Sequence, residues 1–316
     1  MATMKLSVLR YLVAFADEGT FSRAAERCHV SQPTLSVAGQ NLEDELGVRL
    51  LERRRGPAAL TPVGERVVAQ ARRVLEETRR IETVAEGGRD HLGGEFRLGV
   101  IHTVAPYLLP ELIGAMRSLA PDARLFIEES MTSLLIDALK YGKVDAVIVA
   151  LPFDQPGVCV RPLYDEPFRV VVPRAHAWAE RREIRARDLR EVDLLVLKAG
   201  NCFREQVLDA CPEISHADGA LREGHSIETV RCMVASGYGV SVLPASTSPL
   251  TGLYRSDLVV SIPFAGPSPM RRIALAWRED QPRTRLLAAL VEAAKRARNP
   301  GFLHLATLTA GDACPA

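Results

Sequence analysis

The chain has 316 residues, 47% hydrophobic and 25% charged, which is enough for two domains with separate cores and too mixed for a fibrous or disordered protein. With 40 Lys and Arg against 39 Asp and Glu the net charge is +1, so any contact with nucleic acid has to come from local placement of charge. The N-terminus carries no apolar signal core, and no later run approaches the ~18 apolar residues of a spanning helix, which predicts a cytoplasmic protein without membrane contact.

Leu6, Leu9, Leu12, Val13 and Phe15 recur at helical period, and Gly19 ends that helix. Thr20 is expected to cap a second helix over 21–27. Ser31 is expected to cap a third, with Pro33 in its first turn, that ends at Gly47. Helix, short turn, helix is the pattern of a helix-turn-helix. Leu35 and Leu42 read as its core contacts. Gln32, Pro33, Thr34 and Ser36 fall on the exposed early turns, the part of such a helix that enters the major groove of double-stranded DNA. Residues 48–51 and 58–61 read as a two-stranded wing around Arg53, Arg54 and Arg55, which places the three arginines beside a phosphate backbone; a solvated basic turn is the lesser alternative.

Thr61 and Pro62 open a long helix to about residue 86. Within it Val67, Ala71, Val74, Thr78, Ile81 and Ala85 alternate spacings of four and three, an a/d seam. That stripe fits a dimerisation helix, or a helix packed on its own domain. Gly87, Gly88, Gly93 and Gly94 predict a hinge. Strands and helices then alternate. Strands are expected at 96–101, 124–128, 146–151, 168–172, 194–197, 240–243, 259–263 and 273–277, and helices at 107–119, 132–141, 203–211, 226–235 and 283–298. This is a doubly wound α/β pattern, long enough for two lobes around a cleft. The expected domains are a winged helix-turn-helix over 1–61, a linker helix and hinge over 62–92, a two-lobed α/β domain over 93–300 and a weakly ordered tail over 301–316.

Six cysteines, at 28, 159, 202, 211, 232 and 314, are too sparse for a disulfide framework and lack CxxC or zinc-ligand spacing. They are expected as thiols, with no metal or other cofactor. Cys202 and Cys211 bracket a segment that reads as helix, which would hold their Cα atoms ~13 Å apart, whereas a disulfide needs them within ~7 Å. Bonding them would unwind the helix, the behaviour of a switch rather than of a staple. Each also fits a small buried hydrophobe.

Phe21-Ser22-Arg23-Ala24-Ala25-Glu26, Val30-Ser31-Gln32-Pro33-Thr34-Leu35-Ser36, Leu42-Glu43-Asp44-Glu45-Leu46-Gly47 and Leu60-Thr61-Pro62-Val63-Gly64 follow one another in order. Together they resemble the winged helix-turn-helix and linker helix of the LysR-type transcriptional regulators. The resemblance covers about residues 5–298 and implies a two-lobed, periplasmic-binding-protein-like effector domain. It also implies a homo-oligomer, a dimer of dimers, acting on promoter DNA with RNA polymerase as partner. Pro106-Tyr107-Leu108-Leu109-Pro110, Tyr164-Asp165-Glu166-Pro167 and the segment from Cys202 to Cys211 resemble the family's hydrogen-peroxide-sensing branch.

That branch implies roles by position. Cys202 would be the peroxidatic cysteine and Cys211 the resolving one. Thr103, Thr132 and Asn201 would line the peroxide pocket, and Arg271 would support the thiolate. Both threonines also fit helix caps. Two positions depart from the family pattern. Asn201 stands where the family usually carries histidine, and an amide does not gain and lose a proton near neutrality. Gly39, Gln40 and Asn41 stand where the family carries an apolar residue and then basic ones, so a helix weaker by ~1 kcal/mol and a flatter salt dependence of DNA binding are expected. Two other readings compete with peroxide sensing, a regulator answering a small co-inducer held between the lobes and a thiol peroxidase. The helix-turn-helix argues against an enzyme.

Overall fold

The computed structural model describes residues 4–52, 59–87, 92–212, 221–248 and 258–305. Arg53, Arg54, Arg55 and Cys314 lie outside them. The chain divides into two compact units, residues 1–89 and residues 90–316. No helix among the described residues is long and apolar enough to cross a membrane.

In the first unit, α1 (Leu6–Glu18), α2 (Phe21–Arg27) and α3 (Gln32–Leu46) form the expected helix-turn-helix. Thr20 accepts a hydrogen bond from the Arg23 amide and Ser31 from the Thr34 amide, so both expected caps are made. α3 ends at Gly47, whose φ of 68° is the left-handed conformation that glycine adopts without strain. Leu35 and Leu42 are buried, Leu35 with Phe15, Ala24 and Ala25 and Leu42 with Leu12, Leu50 and Val68.

Among the described residues the expected two-stranded wing is present as an antiparallel bridge between Leu51 and Leu60. Its two sides are joined by the Glu52 amide donating to the Ala59 carbonyl at 2.8 Å and the Thr61 amide donating to the Leu50 carbonyl at 2.9 Å, and buried Glu43 ties the first side to α3 by accepting from the Leu50 and Leu51 amides at 2.7 and 3.0 Å. α4 (Pro62–Gly87) starts where expected, with the Thr61 hydroxyl accepting from the Gly64 amide at 2.9 Å. A Cβ at Gly64 would run into the Leu50 carbonyl, so only glycine lets α4 pass this close. Asp17 on α1 pairs with Arg72 on α4 and with Arg27 at 2.9 Å. Burial pushes its pKa up, but the hydrogen bonds and charges of Arg72 and Arg27 prevail and leave it below the usual carboxylate value.

The second unit is built on β1 (Gly94–Ile101), α5 (Ala105–Leu119), β2 (Ala123–Ser130), α6 (Thr132–Lys140), β3 (Ala146–Ala150) and β4 (Val158–Pro173). There follow β5 (Leu194–Leu197), α7 (Cys202–Ala210), β6 (Leu221–Gly224), α8 (Ile227–Ala235), β7 (Val240–Pro244), β8 (Val259–Pro263), β9 (Met270–Arg278), α9 (Thr284–Arg296) and β10 (Leu303–His304). Strand order is β2-β1-β3-β9-β4-β7-β5-β6, with β8 and β10 also on β4. Parallel pairs β1/β2, β1/β3, β5/β6 and β5/β7 sit in the two lobes, joined by antiparallel β9 and β4. The first half of β4 pairs with β9 and its second half with β7 and β8, so this one strand runs from lobe to lobe.

β4 is three times the expected strand at 168–172 in length. Pro162 and Pro167 disguise it, and the register shifts between Pro162 and Tyr164. The start of the expected weak tail is ordered instead, because Phe302 is buried against Tyr164 with ring centroids 4.0 Å apart and β10 then pairs with β4. Cys159 is disulfide-bonded, against the expectation of six thiols; pairing depends on Cα atoms meeting in space, which sequence spacing does not reveal. Cys28, Cys202, Cys211 and Cys232 are thiols.

Candidate functional site

Two parallel strands end at the junction of the lobes, and the segments that follow them face the start of α7. Ile101, His102 and Thr103 leave β1, Ser130, Met131 and Thr132 lead from β2 into α6, and Asn201 and Cys202 open α7. These residues enclose a cavity of about 10 Å³, room for roughly one molecule on the scale of water. The carboxyl ends of parallel strands are where open α/β sheets place ligands. The first turns of α6 and α7 both border this cavity, and helix N-termini favour a negative atom.

Four of the residues expected at a peroxide pocket, Thr103, Thr132, Asn201 and Cys202, therefore share one wall system. Thr132 is not a helix cap. It is the first residue of α6 after Met131, and its Oγ1 is buried with no hydrogen-bond partner. An unmet buried hydroxyl costs roughly 1–3 kcal/mol, so this one is suited to a polar occupant of the cavity. Nor does Thr103 cap α5, whose N-cap is Val104. Asn201 does two things, lining the cavity while its Oδ1 caps α7 by accepting from the Phe203 amide at 3.0 Å. Its side-chain NH2 takes no part in that cap.

Arg271 lies behind this cavity and does not line it. Its side chain is 1% exposed, donates to Thr103 Oγ1 at 2.8 Å and to the Thr103 carbonyl at 3.0 Å, and pairs with fully buried Glu166 at 2.7 Å. Its guanidinium also stacks 5.0 Å from the Phe203 ring. Arg271 thus fixes the Thr103 hydroxyl and the first turn of α7, while Glu166 neutralises its charge.

Cys211 is the C-cap of α7 and wholly buried, and Phe203 and Val207 between the two cysteines are buried as well. Nine residues of helical rise separate Cys202 from Cys211 by ~13 Å. A larger cavity of about 210 Å³, lined by Leu139, Phe153, Val158 and Arg278 among others, contains none of the expected site residues.

On α3, Gln32, Pro33 and Thr34 are exposed as expected, but Ser36 is only half-buried rather than open. Ser22 donates to Gln32 Oε1 at 3.4 Å. Val37, 53% exposed, was not anticipated; its methyls suit a thymine methyl in a major groove. The seam of α4 divides. Val67 packs with Leu12 and Leu50 in the core of its own unit and Ala71 is buried, whereas Val74 is 37% and Ile81 70% exposed. The first part of the seam is therefore spent within the chain, because α1 already covers it.

Residues 6–65 match the bacterial regulatory helix-turn-helix protein of the lysR family, and residues 89–299 match the LysR substrate binding domain. The chain belongs to the LysR-type transcriptional regulators. Among these regulators it is 39% identical to the DNA-binding transcriptional dual regulator OxyR of Escherichia coli K12, over 94% of this chain and 97% of that protein. A full-length OxyR from Pseudomonas aeruginosa with a Cys→Asp substitution is 45% identical with a TM-score of 0.74, covering 95% of this chain and 98% of that one. A hydrogen-peroxide-bound Cys→Ser mutant of Corynebacterium glutamicum OxyR is 32% identical with a TM-score of 0.62, covering 93% and 92%.

For a LysR-type regulator the residues that sequence reasoning missed are His102, Ser130 and Glu43. His102 lines the cavity and its Nδ1 lies 3.0 Å from Glu129 Oε1. Only its adjacency to Thr103 could have flagged it.

Proposed function

We propose that this protein is a DNA-binding transcription regulator that senses hydrogen peroxide through Cys202. The observation that carries the reading is the cavity at Cys202. It is far below the ~300–1,000 Å³ of sites for metabolite-sized ligands, and it holds the buried, unpartnered Thr132 Oγ1. That favours a peroxide-sized signal over a co-inducer at this place.

The Cys202 thiolate attacks one peroxide oxygen, the O–O bond breaks, and the sulfur becomes a sulfenic acid while the other oxygen leaves as hydroxide and is protonated to water. The Cys211 thiol then attacks the sulfenic sulfur, releasing a second water and forming the disulfide. Because α7 holds the two sulfurs apart, the second step requires α7 to unwind and Phe203 and Val207 to leave the core, at roughly 1.5–3 kcal/mol for each side chain. The unwound segment remodels the lobes and rearranges a homo-oligomer on its promoter, where Gln32, Pro33, Thr34, Ser36, Arg53, Arg54 and Arg55 contact DNA and RNA polymerase is engaged.

The test is mass mapping after a stoichiometric peroxide pulse. The expected product is a Cys202–Cys211 disulfide in the wild type, a sulfenic acid trapped at Cys202 in Cys211→Ser, and no peroxide-dependent change in transcription for Cys202→Ser. A Cys202→Ser protein that still responds to peroxide overturns the reading.

A further inference from the structure

Breaking the peroxide O–O bond puts a negative charge on the departing oxygen, and a proton delivered there turns a poor leaving group into water. Asn201 beside Cys202 has no proton to give. Among the described residues that line the cavity, His102 is the only side chain besides the thiol that carries an acid–base group. It lines the same cavity just past the end of β1, and its Nδ1 is held 3.0 Å from Glu129 Oε1 on β2. A carboxylate on one ring nitrogen fixes the ring and stabilises the imidazolium, leaving Nε2 as the second donor.

We propose that His102, oriented by Glu129, is the general acid of the Cys202 reaction, taking the place that a histidine at 201 cannot fill in this chain. The proposal rests on the peroxide-sensing reading of the same cavity. Cys202 sulfur supplies the electron pair to the near oxygen of peroxide, the O–O bond breaks, and the far oxygen takes the Nε2 proton and leaves as water. Neutral His102 then regains a proton from solvent, which reaches it because the ring is 45% exposed. Charged groups at this wall include Glu129 and, behind Thr103, Arg271, whose charge is matched by Glu166. The unpaired Thr132 hydroxyl is available to hold the peroxide while the proton moves.

The discriminating experiment compares two electrophiles on the full-length reduced protein. Peroxide needs a proton on its leaving group, and iodoacetamide, which expels iodide, does not. His102→Gln keeps a hydrogen-bonding amide toward Glu129 without a transferable proton. The expected result is a fall of about 10²-fold in the second-order rate of Cys202 oxidation with the alkylation rate held within about twofold, and partial recovery of oxidation in His102→Gln/Asn201→His. Equal losses in both rates would show that His102 only shapes the pocket and would overturn the proposal, as would an unchanged oxidation rate. A wild-type protein that alkylates at Cys202 but is not oxidised there sinks the sensor reading itself, and is told apart because it appears without any substitution at 102.

Discussion

Glu166 and Arg271 carry opposite charges almost sealed from solvent, and each was drawn out of water only because the other was there. The pair is also tied to backbone, through the Ser246 amide on Glu166 and the Thr103 carbonyl on Arg271. Deleting one partner strands the other charge in the core. Glu166→Gln is therefore expected to lower the stability of the second unit by roughly 3–5 kcal/mol, read from urea unfolding. Glu166→Leu/Arg271→Met, which removes both charges, should recover much of that stability and yet loosen Thr103, slowing Cys202 oxidation. A loss below about 1 kcal/mol in Glu166→Gln would mean that water reaches the pair and that the cavity wall is not fixed as described. Tyr107 makes a related tie between lobes, donating to Glu228 of α8; burial first, then the Glu228 charge, pushes its phenol far above the ordinary value, so it stays a donor at every physiological pH.

At the scale of elements, α3 combines sound ends with a weak middle. Ser31 and Gly47 close its termini, but Gly39 sits in its interior, where glycine costs up to about 1 kcal/mol relative to alanine. Packing does not require it, since a Cβ there would meet only Leu51 Cδ1 at 4.0 Å. Gly39→Ala is expected to stabilise the first unit by about 0.5–1 kcal/mol in thermal unfolding of the full chain, and a loss of stability would reveal a constraint on that helix face. The helix boundaries were legible because caps and apolar period are local. Thr20, Ser31 and Thr61 act where their sequence positions put them. β4 was half hidden, because its prolines are tolerated through a register shift between Pro162 and Tyr164 and through pairing with β9, a strand about a hundred residues away. The cavity was legible to the extent that a family pattern names its threonines and cysteine. His102 and the Glu166 clamp on Arg271 were not, because both depend on side chains that meet only once β1, β2, β4 and β9 are assembled.

For the molecule as a whole, we propose that α4 sets how two DNA-reading units come together. Its seam begins inside the chain, with Val67 and Ala71 buried, and continues outside it, with Val74 and Ile81 exposed on the same stripe and Thr78 between them. A second copy of the helix laid along this stripe would bury those two side chains at about 1.5–3 kcal/mol each. Paired helices would also fix the separation of the two recognition helices to match half-sites about one DNA turn apart, or multiples of it. Val74→Asp/Ile81→Asp should then yield a monomer in sedimentation at concentrations where the wild type is dimeric or larger, and lose cooperative binding to a two-half-site duplex. Thermal unfolding of the first unit should barely move, because Val67 and Ala71 still pack within it. If the doubly substituted chain still sediments as a dimer, the contact lies elsewhere, and the outer stripe of α4 serves some other surface.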